Sequence, residues 1–520
     1  MRHDSARGRP TPGVGSGVAW STVNSLALRL GGLVVGIVLA RVLTPEQFGL
    51  YAIALTVQTI LMTLADLGLS ADLIRSDDPR KRAPTVATLG ATVGFALTLT
   101  MIALSGQVAA TLGAPAAAPA IAVLSGTLLL AGIGVVPYAM LQRRFEQRKL
   151  FVVAAVDLVL STVVTLCLIA AGWGVLSLAI GRVVAQGTAV VLQFVLAREV
   201  PRFGVDRSLL RPILAFGLPV AAANFLSWAL LNVDNVVIAR LVGPAALGLY
   251  VLAFNISSWP MTAIAQVVRS VALPYFSRAS GAEAYAGLRR ATVLTWAASL
   301  PAGTLLAVLS TPVIVVLYGE KWAGSAVILA SLGIVGSFRA VFDNFASYLL
   351  ARGSSRSVLI VQVIWFVSIL VGMIVGTAAL GIIGAALVHV VVSVLVVLPA
   401  YLVTLRRHGV RLRPLLSGSA VPTIATVPAA GLAALIQVPL AHSALLALLC
   451  GGCAAAGVYW LLVRRWLKRE LAAARKPSAQ SASAVAPQLV QVVPPAEQVD
   501  ASPTMPQPAT PLPRAEASTS

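Results

Sequence analysis

Six ionisable residues stand inside stretches that are otherwise apolar, and chemistry could be done there. The basic ones are Arg29, Arg182 and Arg339; the acidic ones are Asp66, Asp234 and Asp343. A charge at the centre of a membrane-spanning helix costs roughly 2.5–3.5 kcal/mol on insertion scales, so such a residue faces the bundle interior or a wet cavity. Arginine there suits phosphate, because its planar guanidinium presents a fork of donors. For each of the three arginines, a polar cavity and a structural ion pair are the two readings. Arg29 lies midway along its run, too deep to reach the interface. Arg339 and Asp343 are four residues apart, hence on one helix face, where an intrahelical salt bridge can form. Asp66, Asp234 and Asp343 are candidates for ion coupling. Asp234, in Asn232-Val-Asp-Asn235 near a helix end, serves equally well as a wet or capping group. Asp72 and Asp157 lie near helix ends and are expected to be solvated, and Arg269 is expected to snorkel to the interface.

Asn24 and Asn224 extend the candidate cavity, while Gln58, Asn255, Gln266, Asn344 and Gln362 have the ordinary role of helix–helix contacts. Trp228 and Tyr348 could stack on sugar rings, although packing or interfacial anchoring is commoner for such residues. His389 is alone in an apolar run and is read as packed. Cys450-Gly-Gly-Cys453 has redox spacing but no flanking βαβ pattern and no second ligand pair for zinc; like Cys167, these residues are read as small side chains that let helices approach. The sequence contains no Walker A, HExxH or GxSxG signature. Gly13-Val-Gly-Ser-Gly17 lacks a preceding strand. Neither an enzyme nor a bound metal or cofactor is expected.

The elements that must hold these residues are transmembrane helices. The chain has 520 residues, 58% hydrophobic and 11% charged, against about 25% charged in an average soluble domain. The net charge of +20 could suggest nucleic acid, but the basic residues sit in short clusters between apolar runs, which excludes that reading. About fourteen spans are expected from the length a helix needs. The first six are 18–40, 48–74, 85–106, 118–140, 151–171 and 175–197. The next six are 213–239, 247–272, 289–310, 324–350, 357–380 and 382–405, followed by 417–437 and 441–463. Met1–Gly17 is a polar leader, and the run behind it exceeds the roughly 7–15 residues of a signal-peptide core, so an uncleaved first span is expected. The region 474–520 is rich in Pro, Ala, Ser and Gln and is expected to be disordered.

Loop charges test this count. Alternate loops hold the basic clusters, among them Arg80-Lys-Arg82, Arg143-Arg144, Arg406-Arg407 and Arg464-Arg465, whereas the loops between them hold only Arg41, Arg240 and Lys321. The positive-inside rule then places both termini in the cytoplasm. An internal repeat adds symmetry. Leu39–Ala54 returns as Ile238–Ala253, matching Ala40, Arg41, Pro45, Gly49, Leu50, Tyr51 and Ala54 with Ala239, Arg240, Pro244, Gly248, Leu249, Tyr250 and Ala253. The copies lie an even number of spans apart, which predicts a parallel repeat about an axis along the membrane normal. The expected halves are 18–197 and 213–405, joined by a linker at 198–212, with two further helices over 417–463.

Several motifs resemble one family. Arg41-Val-Leu-Thr-Pro-Glu-Gln-Phe-Gly-Leu-Tyr51, Ala65-Asp-Leu-Gly-Leu69 with Leu73-Ile-Arg75, Leu273-Pro-Tyr-Phe-Ser-Arg278 and Leu317-Tyr-Gly-Glu-Lys-Trp322 are similar, in this order, to marks of the polysaccharide-transporter (Wzx-type) branch of the MOP flippase superfamily. The resemblance implies an all-α membrane protein with two six-helix lobes around a central cavity. It also implies movement of polyprenyl-pyrophosphate-linked oligosaccharide across a bacterial plasma membrane for cell-surface polysaccharide. Membrane lipids, and polysaccharide polymerases and glycosyltransferases, are the partners it suggests. The competing reading is a multidrug or cation exporter of the related branch, which would need a cavity dominated by acids. A membrane glycosyltransferase would need a sizeable outer loop or an acidic metal motif, and the sequence shows neither.

Overall fold

The computed structural model describes residues 30–200, 202–260 and 281–475, apart from a few side chains within 223–231 and at 281–282 and 473–475. Arg29, Asn24, Gln266, Arg269, the leader and the region beyond 475 lie outside them. Every regular element among the described residues is helical. Among the described residues, ten helices are long and apolar enough to cross a membrane, and a multi-pass membrane protein results. Helices also occupy the described parts of the other expected spans, at Leu30–Val42 (α1), Arg207–Leu241 (α8) and 244–260 (α9).

The first half continues with α2 (Pro45–Asp66), α3 (Leu69–Arg75), α4 (Pro79–Thr111), α5 (Ala118–Arg143), α6 (Gln147–Ala170) and α7 (Leu176–Ala197). The turn before α2 is built for a helix start. Pro45 fixes the first helical φ, and Thr44 and Gln47 close a capping box, each side chain accepting from the other's backbone N–H at 3.2 and 3.1 Å. The expected span 48–74 is not continuous. Leu67 and Gly68 turn left-handed (φ 45° and 67°) and separate α2 from α3. Gly68 lies directly on the backbone of Gly217 in α8, where a Cβ would collide. The break is a tertiary contact, invisible in a run that is apolar on both sides of it.

The second half adds α10 (Gly281–Val308), α11 (Ser310–Tyr318), α12 (Ser325–Ala351), α13 (Ser355–Val392) and α14 (Leu398–Arg407). The expected division between the eleventh and twelfth spans falls at Gly381, the one non-helical residue of α13. The final helices are α15 (Leu412–Gln437) and α16 (Ala444–Arg475). Trp296 Nε1 donates to Thr423 Oγ1 at 2.9 Å, joining α10 to α15, and Tyr459 Oη of α16 donates to Ala297 O at 2.6 Å.

The halves repeat one packing device. In the first, Gly90 of α4 meets Gly132 of α5 backbone to backbone; in the second, Gly303 of α10 meets Gly333 of α12 in the same way. Ser337 Oγ then donates to Ser299 O at 2.8 Å. Between lipid-soaked helices, such close approach supplies dispersion contacts and brings polar groups within reach. Gln58 to Thr127 (2.6 Å) and Asn344 to Thr295 (2.9 Å) are buried interhelical hydrogen bonds of this kind.

Hydrogen bonds sort the loops into two ends. At one end, here the basic end, Arg143 donates to Ile74 O and Ser76 O at 2.8 and 2.5 Å, Lys149 to Leu196 O at 3.0 Å, and Gly204 N to Thr88 Oγ1 at 2.9 Å. In the second half Tyr285 donates to Arg411 O at 3.0 Å. At the opposite end, Arg41 donates to Leu317 O at 2.9 Å and to Val316 O, Lys321 to Arg41 O at 2.8 Å, and Trp322 to Ala40 O at 2.8 Å. Arg41 thus satisfies carbonyls at the end of α11, in the other half. Desolvation, with the Arg41 charge beside it, holds the Lys321 ammonium below the ordinary lysine value.

Two expectations need correction. Asp72 is not solvated: it is wholly buried, because the break before α3 tucks it under the start of α4, where Arg82 grips both carboxylate oxygens at 2.9 Å. Cys167, Cys450 and Cys453 are exposed rather than packed; Gly451, between the last two, is what meets Leu309 and Ala433.

Gly132→Val forces α4 and α5 apart, and the expected loss is about 1–3 kcal/mol, the cost of overpacking. Gly106→Val, where the added group meets nothing, serves as the control. Thermal unfolding of the purified proteins in detergent should lower the midpoint of the first and leave the second near wild type.

Candidate functional site

The ionisable residues gather into one cluster in each half. In the first, Arg182 is about two turns into α7. Its Nη1 donates to Asp157 Oδ2 on α6 at 2.5 Å, and its Nη2 reaches Gln186 Oε1 at 3.4 Å. Asp157 therefore is not solvated as its sequence position suggested; it is the counter-ion of Arg182, with its Oδ1 buried and without a partner among the described residues. The charges of both bear on the Tyr51 hydroxyl. Gln186 also lines a cavity of about 280 Å³ that holds Asp66, Met62, Tyr138 and Gln193. Gln186 is the residue that this cavity shares with the Arg182 cluster.

In the second half, Asp234 on α8 is 5% exposed. Tyr250 Oη on α9 donates to its Oδ2 at 2.6 Å, and His389 Nε2 on α13 lies 2.9 Å from the same hydroxyl. The tyrosine has one proton and directs it to the carboxylate, so the network assigns the Nε2 proton to His389 as donor to Oη. His389 Nε2 is 4.0 Å from Asp234 Oδ2. His389 is thus no lone packed residue: helices far apart in sequence bring an acid and a phenol to it. The wet or capping role considered for Asp234 gives way to a buried one.

Arg339, on α12, is exposed, and its charge acts on Tyr250 and His389. Asp343, one turn on, is half-buried and acts on Tyr401. The two residues share a face of α12. Asn224 is exposed on α8, and Trp228 is half-buried, with its carbonyl accepting from Asn232 at 3.0 Å. Tyr348 lies under the Arg352 guanidinium at 5.5 Å, an anchor rather than a sugar platform.

Sequence reasoning missed Tyr51 and Tyr250 as parts of the clusters, although they are matched positions of the repeat. Each half sets this tyrosine beside a basic residue of its sixth span, Arg182 on α7 or His389 on α13. Chemically, the clusters can exchange an anionic ligand for Asp157 on Arg182, bind one at Arg339, and hold a proton within Asp234, Tyr250 and His389.

A family profile described as "Polysaccharide biosynthesis protein" matches residues 38–327. The lipopolysaccharide biosynthesis protein WzxC of Escherichia coli K12 is 25% identical over 397 residues, 75% of this chain and 80% of that protein. The succinoglycan biosynthesis transport protein ExoT of Rhizobium meliloti is 27% identical over 467 residues, 86% of this chain and 93% of that protein. Among solved structures, the lipid II flippase MurJ in an inward closed conformation superposes with a TM-score of 0.69 at 15% identity, covering 87% of this chain and all of that one. An inward-facing multidrug resistance MATE transporter of the MOP superfamily gives 0.58 at 17% identity, covering 73% and 94%. These structures share the two-lobe transporter fold.

Arg182→Leu leaves Asp157 uncompensated. The pair is partly exposed (31% and 20%), so the expected loss is about 1–3 kcal/mol, below the roughly 3–5 of a fully buried pair. Asp157→Leu with Arg182→Leu should recover most of it in thermal unfolding. Equal losses in the single and double variants would contradict the pairing.

Proposed function

The chain belongs to the polysaccharide biosynthesis protein family, and from that premise we propose that it is a flippase for polyprenyl-pyrophosphate-linked oligosaccharide, serving cell-surface polysaccharide assembly. One observation carries the reading: each half holds a guanidinium, Arg182 or Arg339, within an otherwise apolar span. The names of WzxC and ExoT, as biosynthesis and transport proteins of two polysaccharides, support it.

The lipid-linked pyrophosphate brings negative charge and sugar hydroxyls into hydrocarbon. Arginine replaces lost hydration with directed donors. On Arg182, the phosphate takes the place of Asp157. Arg29, Asn24 and Asn224 complete the proposed binding set, and Asp66, Asp234 and Asp343 the proposed coupling set. The lipid tail stays in the bilayer through the gap between halves 18–197 and 213–405. Rocking of these halves about the 198–212 linker exposes the head group to each side in turn. The membrane potential supplies about 2.3 kcal/mol per charge per 100 mV, enough to bias such a cycle. The chain works as a carrier rather than an enzyme, in the bacterial plasma membrane with both termini cytoplasmic. Glycosyltransferases supply its substrate and a polymerase consumes its product.

A multidrug or cation exporter is the second reading, favoured by the buried Asp234 and by the fold shared with the MATE transporter. The arginines weigh against it, since they repel a cation.

Arg29→Ala, Arg182→Ala and Arg339→Ala are expected to slow translocation of lipid-linked oligosaccharide in proteoliposomes by about tenfold or more, the loss of one charge-assisted contact, while each variant still inserts. Wild-type rates in all three would remove the cationic site, and export of organic cations without lipid-linked sugar transport would establish the second reading.

A further inference from the structure

A second basic site lies away from both clusters, at the basic end of the first half. The ends of α4, α5 and α7 and the chain that leaves α7 enclose a pocket of about 420 Å³. Four arginines from these separate elements line it: Arg80, Arg144, Arg198 and Arg202. Arg144 is committed, donating to Ala197 O at 2.6 Å and to Glu199 Oε1 at 2.5 Å. Among the described residues, the side chains of Arg80, Arg198 and Arg202 have no hydrogen-bond or ion-pair partner. Glu199 is the one acid in the lining, so the pocket keeps an excess of positive charge. Like charges gathered on one pocket repel, and an anion relieves them.

The rest of the lining tells which anion. The floor is apolar, formed by Ile133, Val136, Met140 and Phe194. The linker presents Val200, Phe203 and Val205 at 71%, 58% and 57% exposure, interleaved with Arg198 and Arg202. Exposed apolar side chains alternating with arginine suit the boundary between head groups and acyl chains. A free phosphate would use the arginines and leave the apolar floor and linker side chains without purpose; a lipid uses both. Basic pockets between helix ends on the cytoplasmic side are also where anionic head groups bind.

We propose that this pocket binds the phosphate of an anionic membrane lipid, with the guanidinium groups of Arg80, Arg198 and Arg202 around the phosphate and the first acyl carbons on the Val136–Met140 floor. The site does not depend on the flippase reading. Its consequence is mechanical. Gly204 and Asp206 hold the linker to Thr88 and Thr85 of α4 at 2.9 and 3.1 Å, and a bound lipid adds a second tie between the linker and the first half. Lipid composition then sets how freely the linker moves as the halves rock.

The test uses the full-length protein in detergent, titrated with phosphatidylglycerol, phosphatidylcholine or inorganic pyrophosphate and read by native mass spectrometry. Wild type is expected to retain one phosphatidylglycerol in preference to phosphatidylcholine. Arg198→Ala with Arg202→Ala should weaken that adduct by about 25-fold, at about fivefold for each arginine, and Arg198→Lys with Arg202→Lys should restore most of it. Phe203→Ser should weaken the lipid adduct alone. Phosphatidylglycerol binding unchanged in the alanine variant would overturn the proposal. So would pyrophosphate that binds as tightly as the lipid with the same arginine dependence, which would make this a soluble-anion site.

Discussion

The two copies of the repeated turn touch each other, backbone against backbone. Gly49 lies on the carbonyl of Pro244, and Gly248 lies on the carbonyl of Pro45. The contact is reciprocal: matched residues of the repeat exchange places, as a pseudo-twofold axis between the halves requires. Any side chain at either glycine would push the halves apart. Around this point Arg41, Lys321 and Trp322 tie the first half to the loop after α11, and Phe48 packs edge-on against Trp322 at 5.5 Å. The opposite end of the molecule is closed by these contacts. Tyr51 and Tyr250 follow two residues after the glycines, so the contact that joins the halves also sets the phenols against the two charged clusters.

The halves share this frame but neutralise charge differently. In the first, Arg182 and Asp157 form an ion pair between adjacent helices. In the second, the acid is held by a phenol and an imidazole, while the arginine is exposed on α12. A buried carboxylate with neutral donors can accept a proton without breaking an ion pair, whereas a paired arginine must lose its partner before binding an anion. Under the proposed function, the same fold would present an arginine to the pyrophosphate in each half and, in the second, a carboxylate able to take a proton. The exposed faces of α13 and α15, by contrast, carry valines, leucines and isoleucines.

Much of the architecture was legible because the membrane imposes it. Span length, loop charge and the repeat are all properties of sequence order, and they anticipated the helices, the two ends and the symmetry. What escaped was orientation about each helix axis. In a span that is apolar on every face, periodicity does not say which way Asp157 or His389 points, and distance from a helix end was a poor substitute. On that ground Asp72 and Asp157 are expected in solvent, whereas arginines grip both. The Tyr250–His389 pair joins residues 139 apart in sequence, a contact no local pattern encodes. The repeat did hold a clue: the matched Tyr51 and Tyr250 stand beside the charges in both halves.

The central claim is that the halves close on the Gly49–Gly248 contact and part there during transport. The most direct measurement is the distance between spin labels at Val42 and Leu241, both exposed at that end, by pulsed electron paramagnetic resonance in a background without native cysteines. The account predicts one short distance in the resting protein. A longer population should appear when lipid-linked oligosaccharide is supplied, and should dominate in Gly248→Val. A single distance unaffected by substrate or by that substitution would contradict it.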